Sequence, residues 1–289
     1  MKPLLDLRIT VDYPNKPAAL RDLTLWMQPG ETLGLAGESG SGKSTLALAI
    51  LGLLHHKGGR IKGEIQFDGR DLVRLSSREF RRVRGREIAL VPQSPLASLN
   101  PALRIGTQIE EAWNAHRRDG DWKHRVRELF DLVRLPAGDD FLGRYPRQLS
   151  VGQGQRVLIA MAVLHSPRLL IADEPTSALD AITQAEILDL FARLNRELGM
   201  AILFISHDLE SVACLCERIA VLHHGQVVEQ GRTSEVFEHP QHEYTRALLD
   251  ARPAVRLGSL GRLAEAVGGR PGTTYDDSVS STSFSTRIE

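Results

Sequence analysis

The sequence is poor in cysteine: Cys214 and Cys216 are the only two among 289 residues. Two thiols separated by one residue cannot staple a fold, which excludes a disulfide-framed secreted scaffold and suits a reducing compartment. Net charge is also lacking, with 36 basic residues against 36 acidic. A neutral chain exerts no long-range pull on nucleic acid or on an anionic membrane surface. Long hydrophobic runs are missing too. The longest, "VLIAMAVL" at 157–164, is far short of the ~20 residues needed to cross a bilayer. No basic-then-apolar segment opens the chain, so no secretion signal is expected, and any work at a membrane would run through another chain. No internal repeat is visible. What remains, 42% hydrophobic and 25% charged, is the make-up of a soluble globular protein with a substantial core.

"LDLRITVD" (5–12) and "DLTLWMQ" (22–28) alternate apolar and polar residues and predict two strands, the second stopped by Pro29-Gly30. "TLGLAG" reads as a short buried strand and "KSTLALAILGLL" (43–54) as a helix. "GEIQFDG" (63–69) and "EIALVPQ" (87–93) predict two more strands around a polar, Arg-rich segment. From about 100 to 165 the periods are helical: "IGTQIEEAWNAHRR", "WKHRVRELFDLVRL" and "GQRVLIAMAVL", separated by Pro and Gly. Strands resume with "RLLIADEP" (168–175) and "AILFISHD" (201–208), on either side of the helical "AITQAEILDLFARLNRELG". This alternation predicts an α/β fold, a parallel sheet with covering helices, interrupted by a helical insert. "RIAVLHHGQVVEQG" (218–231) predicts a hairpin turning at His224-Gly225, and the Ser/Thr-rich 273–289 predicts a disordered end.

"GESGSGKST" (37–45) stands where the strand "TLGLA" hands over to a helix. Gly37, four residues, then Gly42, Lys43 and Ser44 is the spacing of a phosphate-binding loop. Glycines at 37, 40 and 42, with Ser39 and Ser41 between them, let backbone N–H groups turn inward on phosphate oxygens. The helix opening at Lys43, Ser44 and Thr45 presents its positive end to the same anion. Lys43 is placed for the β- and γ-phosphates and Ser44 for Mg²⁺. A bare Gly/Ser turn would need neither the strand before nor the helix after. A metal-bound triphosphate also needs a carboxylate, and "LLIADE" supplies Asp173 at the end of a buried strand. Glu174 follows directly, placed to polarise an attacking water as general base.

"LSVGQGQR" (149–156), just ahead of "VLIAMAVLHSPRLLIADEPTSALD", makes the chain resemble the ATP-binding subunits of ABC-type transporters over roughly residues 4–252. The resemblance implies a P-loop NTPase core (ABC-type ATPase) with an antiparallel β subdomain and an inserted helical subdomain. It places the nucleotide-binding core at 1–95 and 166–252, the helical subdomain at 96–165 and a flexible tail at 253–289. It implies ATP and Mg²⁺, and a head-to-tail pair of such subunits. Ser150, Gly152 and Gln153 of one chain would then reach the γ-phosphate held by the partner's loop. Val151 stands where the usual motif has glycine. The resemblance further assigns Gln93 to Mg²⁺ and the attacking water, together with Ser44 and Asp173. Asp180 falls at the dimer seam, His207 on the γ-phosphate, and Tyr13 where an aromatic ring stacks on adenine. Glu174, His207, Lys43 and Gln93 form the implied catalytic set.

"LVPQSPLASLNP" and "HPQHEYTRALLDARP" narrow the resemblance to importers of dipeptides, oligopeptides and nickel. It implies two membrane-embedded permease subunits, a second ATP-binding subunit, an extracytoplasmic solute-binding protein acting indirectly, and a place on the cytoplasmic face of the membrane. Some relatives carry an iron–sulfur cysteine cluster after "YTRALL"; with no cysteine past Cys216, none is expected here. The alternative is a soluble ABC-type ATPase acting on DNA or ribosomes, whose paired cassettes, coiled coils or zinc-binding cysteines are not visible. A switch GTPase would need "NKxD", whereas Asn15-Lys16 runs into Pro17-Ala18 ahead of the loop. Cys214 and Cys216, on an expected helix, point to nearly opposite sides and read as structural. The pairs His55-His56 and His223-His224 read as solvated loop histidines, and the five arginines of "REFRRVRGR" as a solvated face that binds no nucleic acid.

Overall fold

The computed structural model describes residues 2–116 and 120–251; the tail expected at 253–289 lies outside them. The chain opens with β1 (Leu5–Tyr13), whose alternation buries Leu5, Leu7, Ile9 and Val11. It continues through β2 (Lys16–Met27), β3 (Thr32–Ala36), α1 (Lys43–Ile50), β4 (Arg60–Phe67), β5 (Arg70–Asp71), α2 (Ser77–Val83) and β6 (Ile88–Val91). Helices follow: α3 (Pro95–Ser98), α4 (Ile105–Asn114), α5 (Trp122–Leu132), α6 (Asp139–Leu142) and α7 (Val151–Ala162). The chain then returns through β7 (Leu169–Asp173), α8 (Ala181–Leu198), β8 (Ala201–Ser206), α9 (Leu209–Leu215) and β9 (Arg218–His223). β10 (Gln226–Arg232), α10 (Thr233–Glu238) and α11 (Glu243–Asp250) complete the described residues.

β2, β1, β4 and β5 form an antiparallel sheet in that order. The second sheet runs β10-β9-β3-β8-β7-β6, parallel throughout except for β10 on its edge. Its central strands are buried on both faces, and the period of two divides them between two apolar clusters. Leu169, Ile171, Leu203 and Ile205 face the antiparallel sheet and α1, while Leu170, Ala172, Ile202 and Phe204 face the helices. Phe130, Phe141 and Trp113, from the helices between β6 and β7, belong to the same cluster as Phe204. Those helices therefore pack through the sheet's own core.

Three local expectations are corrected. The helix expected to run to Leu54 ends at Ile50, because Gly52 turns left-handed (φ 63°) beneath the Phe80 ring and a tight turn follows. β2 starts at Lys16, ahead of the expected Asp22. Its irregular first half is paired through two register shifts, with Asp12 Oδ1 accepting from Ala18 N at 2.8 Å and Thr10 Oγ1 from Asp22 N at 3.1 Å. Cys216 lies just past the end of α9; it is buried while Cys214 is exposed, and neither forms a disulfide. Burial pushes the Cys216 thiol pKa up, so it is inert at neutral pH.

One buried ion pair ties β9 to the β2–β3 turn. Arg218 Nη1 lies 2.6 Å from Glu31 Oε1, and the guanidinium sits 3.7 Å over the Trp26 ring. Arg218→Met leaves the Glu31 carboxylate, 8% exposed, without its cation. Stability measured by denaturant unfolding should fall by about 3 kcal/mol.

Candidate functional site

Gly37 leaves β3 with φ 151°, and a Cβ there would stand 2.2 Å from the Leu222 carbonyl oxygen, so only glycine lets the loop pass β9 so closely. Lys43 opens α1 and is 5% exposed; its Nζ donates to Gly37 O at 2.7 Å and to Glu38 O at 2.9 Å. Burial lowers its pKa against the opposing pull of Glu174, Asp173 and Glu38. The Ser41 hydroxyl is buried with no hydrogen-bond partner among the described residues. An orphan buried hydroxyl in a glycine-rich loop, at a helix N-terminus, fits phosphate oxygens as the missing partner. Ser39, Gly40 and Ser44 are exposed, Gly42 caps α1 and Thr45 is half-buried. The β9–β10 turn supports the loop from behind, Gly225 N donating to Ser41 O at 2.9 Å.

The remaining groups arrive on the carboxyl ends of neighbouring parallel strands, where such sheets present their ligand sites. Asp173 ends β7, and Ser44 Oγ donates to its Oδ1 at 3.4 Å. Burial, with repulsion from Glu174, raises the Asp173 pKa; the Ser44 hydrogen bond and Lys43 pull it down. A hydroxyl beside a carboxylate is a donor set suited to a hard divalent cation such as Mg²⁺. Glu174 follows in the left-handed region (φ 47°), a strained position fixed by its N–H donating to Ile205 O at 2.9 Å. Its Oε2 accepts from Gln93 Nε2 at 2.9 Å and lies 3.3 Å from His207 Nδ1. Gln93, just after β6, also reaches Ser177 Oγ at 3.5 Å, and His207 follows β8 directly. The loop, the Ser44–Asp173 pair and the Glu174 carboxylate with Gln93 and His207 thus meet at the carboxyl ends of these strands.

Ser150, Gly152 and Gln153 lie at the start of α7. Ser150 caps α7, its Oγ accepting from Gln153 N while Gln153 Oε1 accepts from Ser150 N, both at 3.1 Å. A Cβ on Gly152 would stand 2.9 Å from Thr183 Cγ2, which puts this helix tip against the start of α8. Asp180 caps α8; the Thr183 amide and hydroxyl hold its carboxyl below the usual range. Val151 and Ile182 are solvent-facing, 39% and 75% exposed. No hydrogen bond among the described residues joins Ser150, Gly152 or Gln153 to the phosphate loop of the same chain. Tyr13 ends β1 half-buried against Gly59, and its cross-strand partner Lys16 is the residue that reaches the loop, Nζ donating to Gly40 O at 3.3 Å.

Residues 20–177 match the family model described as ABC transporter, and residues 228–279 match the C-terminal region of oligopeptide/dipeptide transporters. This chain belongs to the ABC transporter family. It is similar to the oligopeptide transport ATP-binding protein OppD of Bacillus subtilis, 42% identical over 91% of this chain and 74% of that one. It also resembles the glutathione import ATP-binding protein GsiA of Escherichia coli K12, 44% identical over 85% of this chain and 40% of that one. Among solved structures it matches the dimeric post-hydrolysis state of the ATP-binding cassette MJ0796 bound to ADP and Pi. There the TM-score is 0.69 and the identity 29%, over 79% of this chain and 98% of the other.

This ABC chain is an ATPase subunit by family. Sequence reasoning missed four of its contacts: Lys16, Ser177, Gly225 and Tyr244, whose hydroxyl accepts from the Glu38 amide at 3.1 Å. Lys16, Gly225 and Tyr244 meet the loop only when distant strands assemble, whereas Ser177 lies three residues from Glu174 and its hydroxyl donates to the Glu174 carbonyl at 3.1 Å.

Proposed function

We propose that this ABC subunit binds and hydrolyses ATP to energise a membrane importer of peptides or a related small solute, nickel or a metal chelate being within that class. The observation that carries the reading is the oligopeptide/dipeptide transporter C-terminal match at 228–279, on a chain whose relatives are named as peptide and glutathione import subunits. No helix of the described residues is long and apolar enough to cross a membrane, so translocation falls to partner chains. Those partners are two permease subunits and a second ATP-binding subunit at the cytoplasmic face, with a solute-binding protein outside. The alternative, an ABC-type ATPase on DNA or ribosomes, draws no support from the relatives.

On this reading the core spans 1–95 and 166–252, and the helices of 96–165 form a subdomain carrying the Ser150 tip. Amides of the 37–45 loop other than those of Glu38 and Ser41 hold the triphosphate, with Lys43 supplying its charge. Ser44, Asp173 and Gln93 would hold Mg²⁺, which neutralises charge on the β- and γ-phosphate oxygens when bound. Glu174 takes the proton of the attacking water; Gln93 and His207 aim its carboxylate, and His207 and Lys43 steady the transferring phosphoryl charge. Ser150, Gly152 and Gln153, which share no hydrogen bond with their own loop among the described residues, serve the partner's nucleotide beside Asp180, and Tyr13 flanks the adenine.

Reconstitution tests this. In vesicles with its membrane partners, MgATP should drive uptake of a labelled short peptide, and turnover should rise when peptide-loaded binding protein is added. ATP turnover stimulated instead by nucleic acid or ribosomes, with no membrane subunits copurifying, would overturn it.

A further inference from the structure

The stretch "HPQHEYTRALL" contributes nothing to the chemistry above, yet it delivers one side chain to the phosphate loop. Glu229 of β10 anchors it: its carboxylate accepts from Gln241 N at 2.7 Å and from His242 N at 3.0 Å. Burial pushes the Glu229 pKa up, but the Gln241 and His242 amides, together with the Thr245 side chain, bring it below the usual range. His242 Nδ1 then accepts from Tyr244 N at 3.1 Å and caps α11. The Tyr244 ring stacks on His223, centroids 3.7 Å apart, at the end of β9. Its hydroxyl accepts the Glu38 N–H at 3.1 Å, while the carbonyl of the same residue accepts from Lys43 Nζ at 2.9 Å. Glu38, exposed and flanked by glycine-rich chain, is therefore held at its amide by the C-terminal helix and at its carbonyl by the phosphate-binding lysine.

We propose that Tyr244 is a positioning residue of the phosphate loop, through which the C-terminal segment sets the affinity for ATP. The proposal rests on residues 37–45 being the ATP site. A glycine-rich loop has many backbone states, and binding through its amides is tight only if few of them are populated beforehand. The Tyr244 hydroxyl removes some of that freedom before the nucleotide arrives. It touches no reacting group, so it acts on binding and leaves the chemical step alone.

Tyr244→Phe keeps the ring and its stack and deletes only the acceptor. MgATP affinity of the whole chain should weaken ~3- to 10-fold, as for one lost hydrogen bond, and KM should rise with it while kcat and thermal stability hold. His223→Ala removes the stack that aims the ring and should weaken affinity too. The double variant should be no worse than the weaker-binding single, because both act through one contact. Unaltered affinity in Tyr244→Phe, additive losses in the double variant, or a fall confined to kcat or stability would each overturn the proposal. Wild-type chain that fails to bind MgATP would overturn the ATP site itself.

Discussion

Glu174→Gln should still bind MgATP as wild type does, yet lose turnover by ~10²- to 10⁴-fold, the usual contribution of a positioned general base. The glutamine keeps an oxygen able to accept from Gln93 Nε2, now 2.9 Å away, and adds no bulk at the strained φ of 47°. What it loses is the capacity to take a proton from water. Since ATP would bind and persist, the paired form should accumulate, visible as an ATP-dependent shift in size-exclusion elution. Steady-state phosphate release and equilibrium binding, measured together, decide the matter. Phosphate release at the wild-type rate would take the base away from Glu174.

Lys43→Met is the second large effect, and it falls on the other parameter. Met fills the same buried space but carries no ammonium. The loss includes the charge-assisted bonds to phosphate, ~1.5–3 kcal/mol for one, and so an affinity lower by about 10- to 10²-fold. Gly37 O and Glu38 O also lose the donor that gathers the loop around them. Because burial already works against the charged lysine, the fold itself should tolerate the change. Calorimetric titration with MgATP alongside a denaturation curve separates the two effects. Unweakened binding would mean that 37–45 is not where the triphosphate sits.

Much of this was legible because it is written locally. The spacing Gly37–Lys43 and the apolar run ending in Asp173-Glu174 lie within single strand-to-turn segments, and their periods survive whatever packs around them. The meeting of Gln93, Glu174 and His207 is different in kind. It follows from β6, β7 and β8 lying side by side, an order that alternation does not encode and that only the family resemblance anticipated. The end of α1 falls short of the expected Leu54 because Gly52 turns left-handed, where the Phe80 ring leaves no room for a side chain. Tyr244 was invisible as a contact because 206 residues separate it from Glu38.

β3 sits between β9 and β8, so the strand that carries the phosphate loop finds its neighbours only in residues 201–223. On the ribosome the antiparallel sheet can close early, using chain already made, while β3 must wait with both edges open for most of synthesis. Nucleotide has nothing to grip during that interval and cannot rescue a nascent chain that has begun to stray. Until then "TLGLA" keeps the N–H and C=O groups of both its edges unpaired, and the nascent chain stays open to mispairing until residues 201–223 have been made.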